Sequence, residues 1–242
     1  MSRVLVIDFE TATTSATSAC AIGAILIEND EIIQQYFSLI KPPSKTFQFT
    51  YIHGITWEQV KDAPTFKEMW EKDFGKLYES VDLVVAHNIG FDSRVLKATA
   101  EHHSITLPEK PTECTVKIAR NQLEIKPAKL DNVCKTLKIP LQHHQALSDS
   151  LASAYIYLHA KTGEKPWLTG KPPERQYEFM VSESPDGPLD LNQDFSRPVP
   201  ITALPKKSSA NAPAKNFTHS ISSLNSEQAK EKLAQLLAKI KL

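Results

Sequence analysis

Residues 4–10 read VLVIDFE, a run dense in Val, Leu and Ile that closes on two carboxylates, Asp8 and Glu10. So much branched apolar surface predicts a central strand covered on both faces. Strand side chains alternate, so Asp8 and Glu10 point to one face and Phe9 to the other. Two carboxylates at the edge of a core repel each other and lose hydration. The pair therefore calls for a positive partner between them, although an Asp-x-Glu alone is also compatible with an exposed strand end.

More strands follow at 20–28 and 31–40, joined at Glu28-Asn29-Asp30 as a hairpin, and the DLVVA run at 82–86 is a further buried strand. Phe66, Met69, Trp70, Phe74 and Leu77 recur at helical spacing after Thr65, a capping residue type, which predicts a helix over 65–79. Helices are also expected at about 91–103, 129–137 and 147–161. Strands in a meander followed by alternating strands and helices define an α/β chain: a mixed sheet with helices on both faces.

The 242 residues allow one large domain with appendages. Residues 1–162 form the compact part, and 163–182 is an extension whose packing is left open. Residues 183–225, rich in Pro, Ser and Asn, read as a flexible linker. Residues 226–242 place Ala229, Leu233, Leu236, Leu237 and Ile240 on one helical face, with Asn225 or Ser226 as cap. This short amphipathic helix is expected either to dock on the body or to bind a protein partner.

Lys plus Arg and Asp plus Glu both number 28, so net charge singles out no polyanionic partner. Three cysteines, Cys20, Cys114 and Cys134, have neither disulfide nor zinc spacing and fit a reducing, cytoplasmic setting. The first residues lack the form of a secretory leader, and no apolar run reaches the roughly 18 residues of a membrane span.

Three further motifs carry candidate chemistry. HNIGFD, His87 to Asp92, joins the 82–86 strand to the next helix. Asn88 and Gly90 suit a tight turn there, Phe91 can lock it, and Asp92 is placed to meet a helix N-terminus. HQALSD, His144 to Asp149, spans five residues, about 500° on a helix. The two side chains converge only if His144 lies on the preceding loop and Asp149 inside the helix. His143 is the neighbouring competitor, and a surface His-rich turn is the plain alternative. YIHGIT at 51–56 is weaker, since His-Gly is common in turns.

The order VIDFET, HGIT, AHNIGFD and HHQALSD resembles the histidine subtype of the DEDD 3′→5′ exonuclease superfamily, in particular the exonuclease X and DNA polymerase III epsilon types. The likeness covers about residues 3–160 and extends to ECTVKIAR at 113–120 and the LDNVCKTLKI helix. Gln145 stands where the tyrosine subtype would carry Tyr. The resemblance implies an RNase H-like five-stranded mixed sheet and two divalent ions, Mg²⁺ or Mn²⁺. It implies that Asp8 bridges the ions, that Glu10 and Asp149 complete the site of one, and that Asp92 holds the other. His144 would be the general base, and Phe9, Thr11, His53, Ile55, Asn88 and Phe91 the substrate contacts. The implied activity is release of nucleoside 5′-monophosphates from DNA 3′ ends in repair or proofreading. An RNA 3′ exonuclease uses the same motif. A binding module recruited by a polymerase or clamp is the alternative outside enzymology.

Overall fold

The structure, a computed structural model, describes residues 2–168 and a short strand at 180–181. The predicted linker and C-terminal helix lie outside the described residues.

A mixed sheet forms the centre. The opening strand, β1 (Arg3–Thr11), pairs antiparallel with β2 (Ala19–Glu28) and parallel with β4 (Leu83–Ala86). β3 (Glu31–Leu39) continues the hairpin from β2, and β5 (Thr112–Cys114) pairs parallel with β4. Four of these strands were expected from the sequence pattern, and β5 brings the sheet to the five strands that the resemblance implies. Met180–Val181, β6, adds a two-residue edge beside β3, giving the order β5-β4-β1-β2-β3-β6.

Alternation along β1 sorts the side chains as the pattern predicts. Leu5, Ile7 and Phe9 enter one core with Phe66, Phe74, Val95 and Leu96. Val4 and Val6 enter the second with Ile118, Val133, Ala152 and Ile156. Asp8 and Glu10 continue the even-numbered row, which places them on the face of the second core.

The first core is covered by the 65–79 helix and by α5 (Ile89–His102). Thr65 caps the former, accepting from Glu68 N–H at 3.3 Å while Glu68 reaches back to Thr65 N–H at 2.7 Å. This helix runs as α3 (Phe66–Met69), a π-helical turn (Trp70–Phe74) and α4 (Gly75–Glu79). A Cβ at Gly75 would lie 2.7 Å from the Trp70 carbonyl oxygen and 2.8 Å from its indole nitrogen, so the widened turn closes only over glycine. The short helices α1 (Thr50–His53) and α2 (Trp57–Val60) precede it.

On the second face lie α6 (Thr115–Asn121), α7 (Leu130–Leu137) and α8 (Ala146–Thr162). Part of the 163–182 extension packs here: Trp167 Nε1–H donates to Leu137 O at 3.1 Å, and its ring meets Tyr155.

α8 lies across β2 and β1, and Gly23 permits that approach. A Cβ on Gly23 would stand 2.2 Å from Ala146 O and 2.5 Å from Leu147 N. Gly23 is the register partner of Asp8, so this contact sets the height of α8 above the β1 carboxylates. Gly23→Ala must push α8 from the sheet. It should cost about 1–3 kcal/mol, the usual penalty of overpacking, read as a lower urea midpoint. An unchanged midpoint would show that α8 is not seated by this contact.

Candidate active site

The C-terminal end of β1 opens into a cleft of about 870 Å³. Asp8, Glu10 and Asp149 each offer a carboxylate oxygen within 4.8 Å of the others. Asp149 sits in the first turn of α8, the helix that Gly23 admits to the sheet. His144 lies on the preceding loop with φ 67°, and its backbone N–H donates to Asp149 Oδ2 at 3.0 Å. The loop-plus-helix arrangement that the five-residue spacing demands is therefore the one observed.

Asp92 comes from the other side. Asn88 adopts the left-handed conformation, φ 72°, and turns the chain from β4 into α5. Gly90, by contrast, has no positive φ and open space where a Cβ would stand. Asp92, in the first turn of α5, accepts Phe9 N–H at Oδ1, 3.0 Å, directly between Asp8 and Glu10 in sequence. It is buried behind the cleft rather than lining it.

Two carboxylate oxygens, Asp92 Oδ2 and Asp149 Oδ1, are buried with no hydrogen-bond partner. A buried unpartnered carboxylate oxygen is costly. Burial, followed by the charges of Asp92, Asp149 and Glu10, holds the Asp8 carboxyl far above its usual range. Burial and the charges of Asp149 and Asp92 raise Glu10 to about 8. Burial also raises Asp92 and Asp149, against the backbone N–H groups of Phe9 and His144 that favour their charged forms. Hard oxygen donors clustered with unsatisfied lone pairs fit a hard divalent cation such as Mg²⁺ or Mn²⁺.

The His144 ring stacks on His143 with centroids 3.9 Å apart. Burial, then the neighbouring His143 and His53, lowers its pKa, which keeps the imidazole neutral near pH 7. His53 is committed elsewhere. Its Nδ1 accepts Ile55 N–H at 3.0 Å, so Nε2 carries the proton and donates to Thr11 O at 3.2 Å. It ties α1 to the end of β1.

Phe9, Thr11, His53, Asn88 and Phe91, the residues named as substrate contacts, all line the cleft. Ile55 does not. Its backbone N–H and carbonyl hold His53 and the Thr50 hydroxyl, and the cleft is lined instead by Phe49 and Ile52. Tyr51 beside them is 78% exposed. Arg120, Lys126 and Lys129 line the cleft from α6 and the loop before α7. Arg120 ends the ECTVKIAR tract, but no sequence motif gives any of the three a role in the site; the fold brings them to the cleft.

The exonuclease family model matches residues 5–157, and the chain belongs to this family. It is 31% identical over 158 residues to the PolC-type DNA polymerase III of Thermotoga maritima, across 64% of this chain and 11% of that protein. It therefore spans about a tenth of the length of that relative. It is 26% identical over 193 residues to the DNA polymerase III subunit epsilon of Buchnera aphidicola, across 73% of this chain and 82% of the subunit. Exonuclease X, solved with 5′ overhanging duplex DNA, superposes with TM-score 0.50 at 28% identity, covering 68% of this chain and 94% of that one. The 3′hExo nuclease domain, solved with rAMP, shares the fold with TM-score 0.57 at 20% identity over 68% and 94% of the two chains. The sheet and helices are thus an RNase H-like exonuclease fold. No helix among the described residues is long and apolar enough to cross a membrane.

The raised carboxyl pKa values make a prediction for the metal-free protein. A carboxyl whose folded pKa exceeds its unfolded value binds its proton more tightly when folded, so stability falls as pH rises between the two values. The loss should accumulate from the ordinary carboxylate range near pH 4 up to about 8, the value for Glu10. Mg²⁺ or Mn²⁺ should cancel it. The gap in melting temperature between metal-saturated and chelator-treated protein should therefore widen from pH 5 to pH 8. A gap that is absent, or constant with pH, would contradict the cation site.

Proposed function

We propose that the chain is a metal-dependent 3′→5′ exonuclease that releases nucleoside 5′-monophosphates from DNA 3′ ends, in repair or replication proofreading. The observation that carries this is the convergence of Asp8, Glu10 and Asp149 within 4.8 Å, with buried, unpartnered oxygens on Asp92 and Asp149. Asp8, Glu10 and Asp149 would hold one divalent ion, and Asp8 with Asp92, the latter through water, a second. Such ions, when bound, neutralise phosphoryl charge and acidify water.

The protein's own groups do the rest. His144, neutral and on a loop beside Asp149, takes a proton from the attacking water. Asp149 orients that loop by accepting its backbone N–H. The backbone near Glu10 and Thr11, fixed by His53, holds the terminal sugar. Phe9 and Phe91 support the terminal nucleotide, and Asn88 shapes the turn beneath it. Support for DNA as the substrate comes from exonuclease X, solved with duplex DNA, and from sequence relatives that include DNA polymerase III proteins, whereas 3′hExo was solved with rAMP.

Single-stranded, recessed and mismatched 3′ ends, labelled at the 5′ end and supplied as DNA and as RNA with Mg²⁺, test the proposal. Stepwise shortening of DNA is expected, and Asp8→Ala should abolish it. Preferred digestion of RNA would transfer the chemistry to the other polymer, and no digestion of either would refute it. His144→Ala should lower turnover by roughly 10²–10⁴-fold, the usual contribution of a general base, with metal-induced stabilisation retained. His143→Ala should cost far less; the reverse order would reassign the base.

A further inference from the structure

Three cations line the cleft without a carboxylate beside them. Arg120 closes α6, and Lys126 and Lys129 stand on the loop before α7; all three are exposed. Among the described residues no carboxylate lies within 4.0 Å of any of them. Asp131, exposed at the start of α7, shares this part of the cleft but leaves an excess of positive charge. Like charges gathered on one surface repel, and an anion relieves them.

The loop that carries Lys126 and Lys129 is held at two successive carbonyls. Asn132 Nδ2–H donates to Pro127 O at 2.7 Å, and His87 Nε2–H donates to Ala128 O at 3.1 Å. His87 Nδ1 accepts the Thr115 hydroxyl at 2.8 Å. Burial lowers its pKa to about 4, against the Ala128 carbonyl, which favours the charged form, so the ring is a neutral clasp near pH 7. His87 lies in the β4–α5 connection, just ahead of the α5 turn that carries Asp92. The clasp therefore ties the cationic segment to the end of β4.

Part of the cleft lining is apolar. Phe49 and Ile52 line the cleft from α1 and the residue before it. That segment is anchored to the end of β1 by Gln48 and Phe49 N–H groups on Ala12 O, at 2.7 and 3.2 Å, and by His53 on Thr11 O. The cleft thus combines cations on a loop tied to the end of β4 with apolar side chains tied to the end of β1, a pairing suited to the phosphates and bases of an unpaired strand.

We infer that Arg120, Lys126 and Lys129 form a phosphate-binding wall that holds the backbone of a single strand on the 5′ side of the scissile phosphate. His87 is its positioning residue. The inference rests on the exonuclease reading and adds that the wall acts on strand binding, not on the bond-breaking step.

Two substrates separate the two ideas. A single-stranded oligonucleotide presents phosphates upstream of the scissile one, and a nucleoside 5′-(nitrophenyl phosphate) presents none. In the full chain, the combined Arg120→Ala, Lys126→Ala and Lys129→Ala substitutions should lower kcat/KM on the oligonucleotide about ten- to a hundredfold at low salt, mostly through KM. The slope of log(kcat/KM) against log[KCl] should flatten by about 0.7 for each phosphate that the variant no longer neutralises. Hydrolysis of the nitrophenyl ester should change less than twofold. Unchanged oligonucleotide kinetics, or a parallel fall on both substrates, would overturn the wall. Failure of the unmodified protein on both would overturn the exonuclease reading itself.

Discussion

Mutual repulsion among carboxylates at the end of β1 is the constraint around which this fold is arranged. Asp8 and Glu10 share one face because a strand alternates, and Asp149 is delivered to that face by α8. Asp92 arrives from α5 and takes Phe9 N–H. Each group is raised in pKa by burial, so the cluster is unfavourable by itself. What keeps it assembled is packing elsewhere: two apolar cores, one on each face of the sheet, and a glycine at the register position where α8 comes against β2. Stability is concentrated in the layers and strain at the strand end, the usual division between scaffold and site.

The backbone contributes as much as the side chains. Phe9 N–H and His144 N–H orient Asp92 and Asp149, each leaving the other oxygen of its carboxylate unpartnered. The first turns of α5 and α8 carry these acids, where the helix dipole partly offsets their charge. The site thus presents oriented oxygens with fixed geometry, a form of preorganisation that a divalent cation exploits directly.

The parts of this arrangement that were legible in the sequence follow from local periodicity. Strand alternation placed Asp8 against Phe9, and the helical angle between His144 and Asp149 required a loop before a helix. Thr65 marked its helix start. What escaped depends on contacts between distant segments. β5 has three residues, too few for a pattern, and is defined only by its pairing with β4. Gly23 looks like a weakness in an apolar strand until Ala146 is brought against it. His53, expected as a substrate contact, and His87, at the head of its motif, each have both ring nitrogens engaged in hydrogen bonds. Ile52 lies within α1 and lines the cleft, whereas Ile55 follows the left-handed cap at Gly54, φ 76°, and does not.

The attachment of α1 has a consequence for how the cleft works in time. This helix buries none of its residues and is fastened by hydrogen bonds to the end of β1. Segments held by a few polar contacts, with no residue of their own in a core, open locally at lower free energy than segments seated in a core. The rim of the cleft can therefore breathe while the sheet beneath stays closed, so that entry and exit of a chain end are uncoupled from global unfolding.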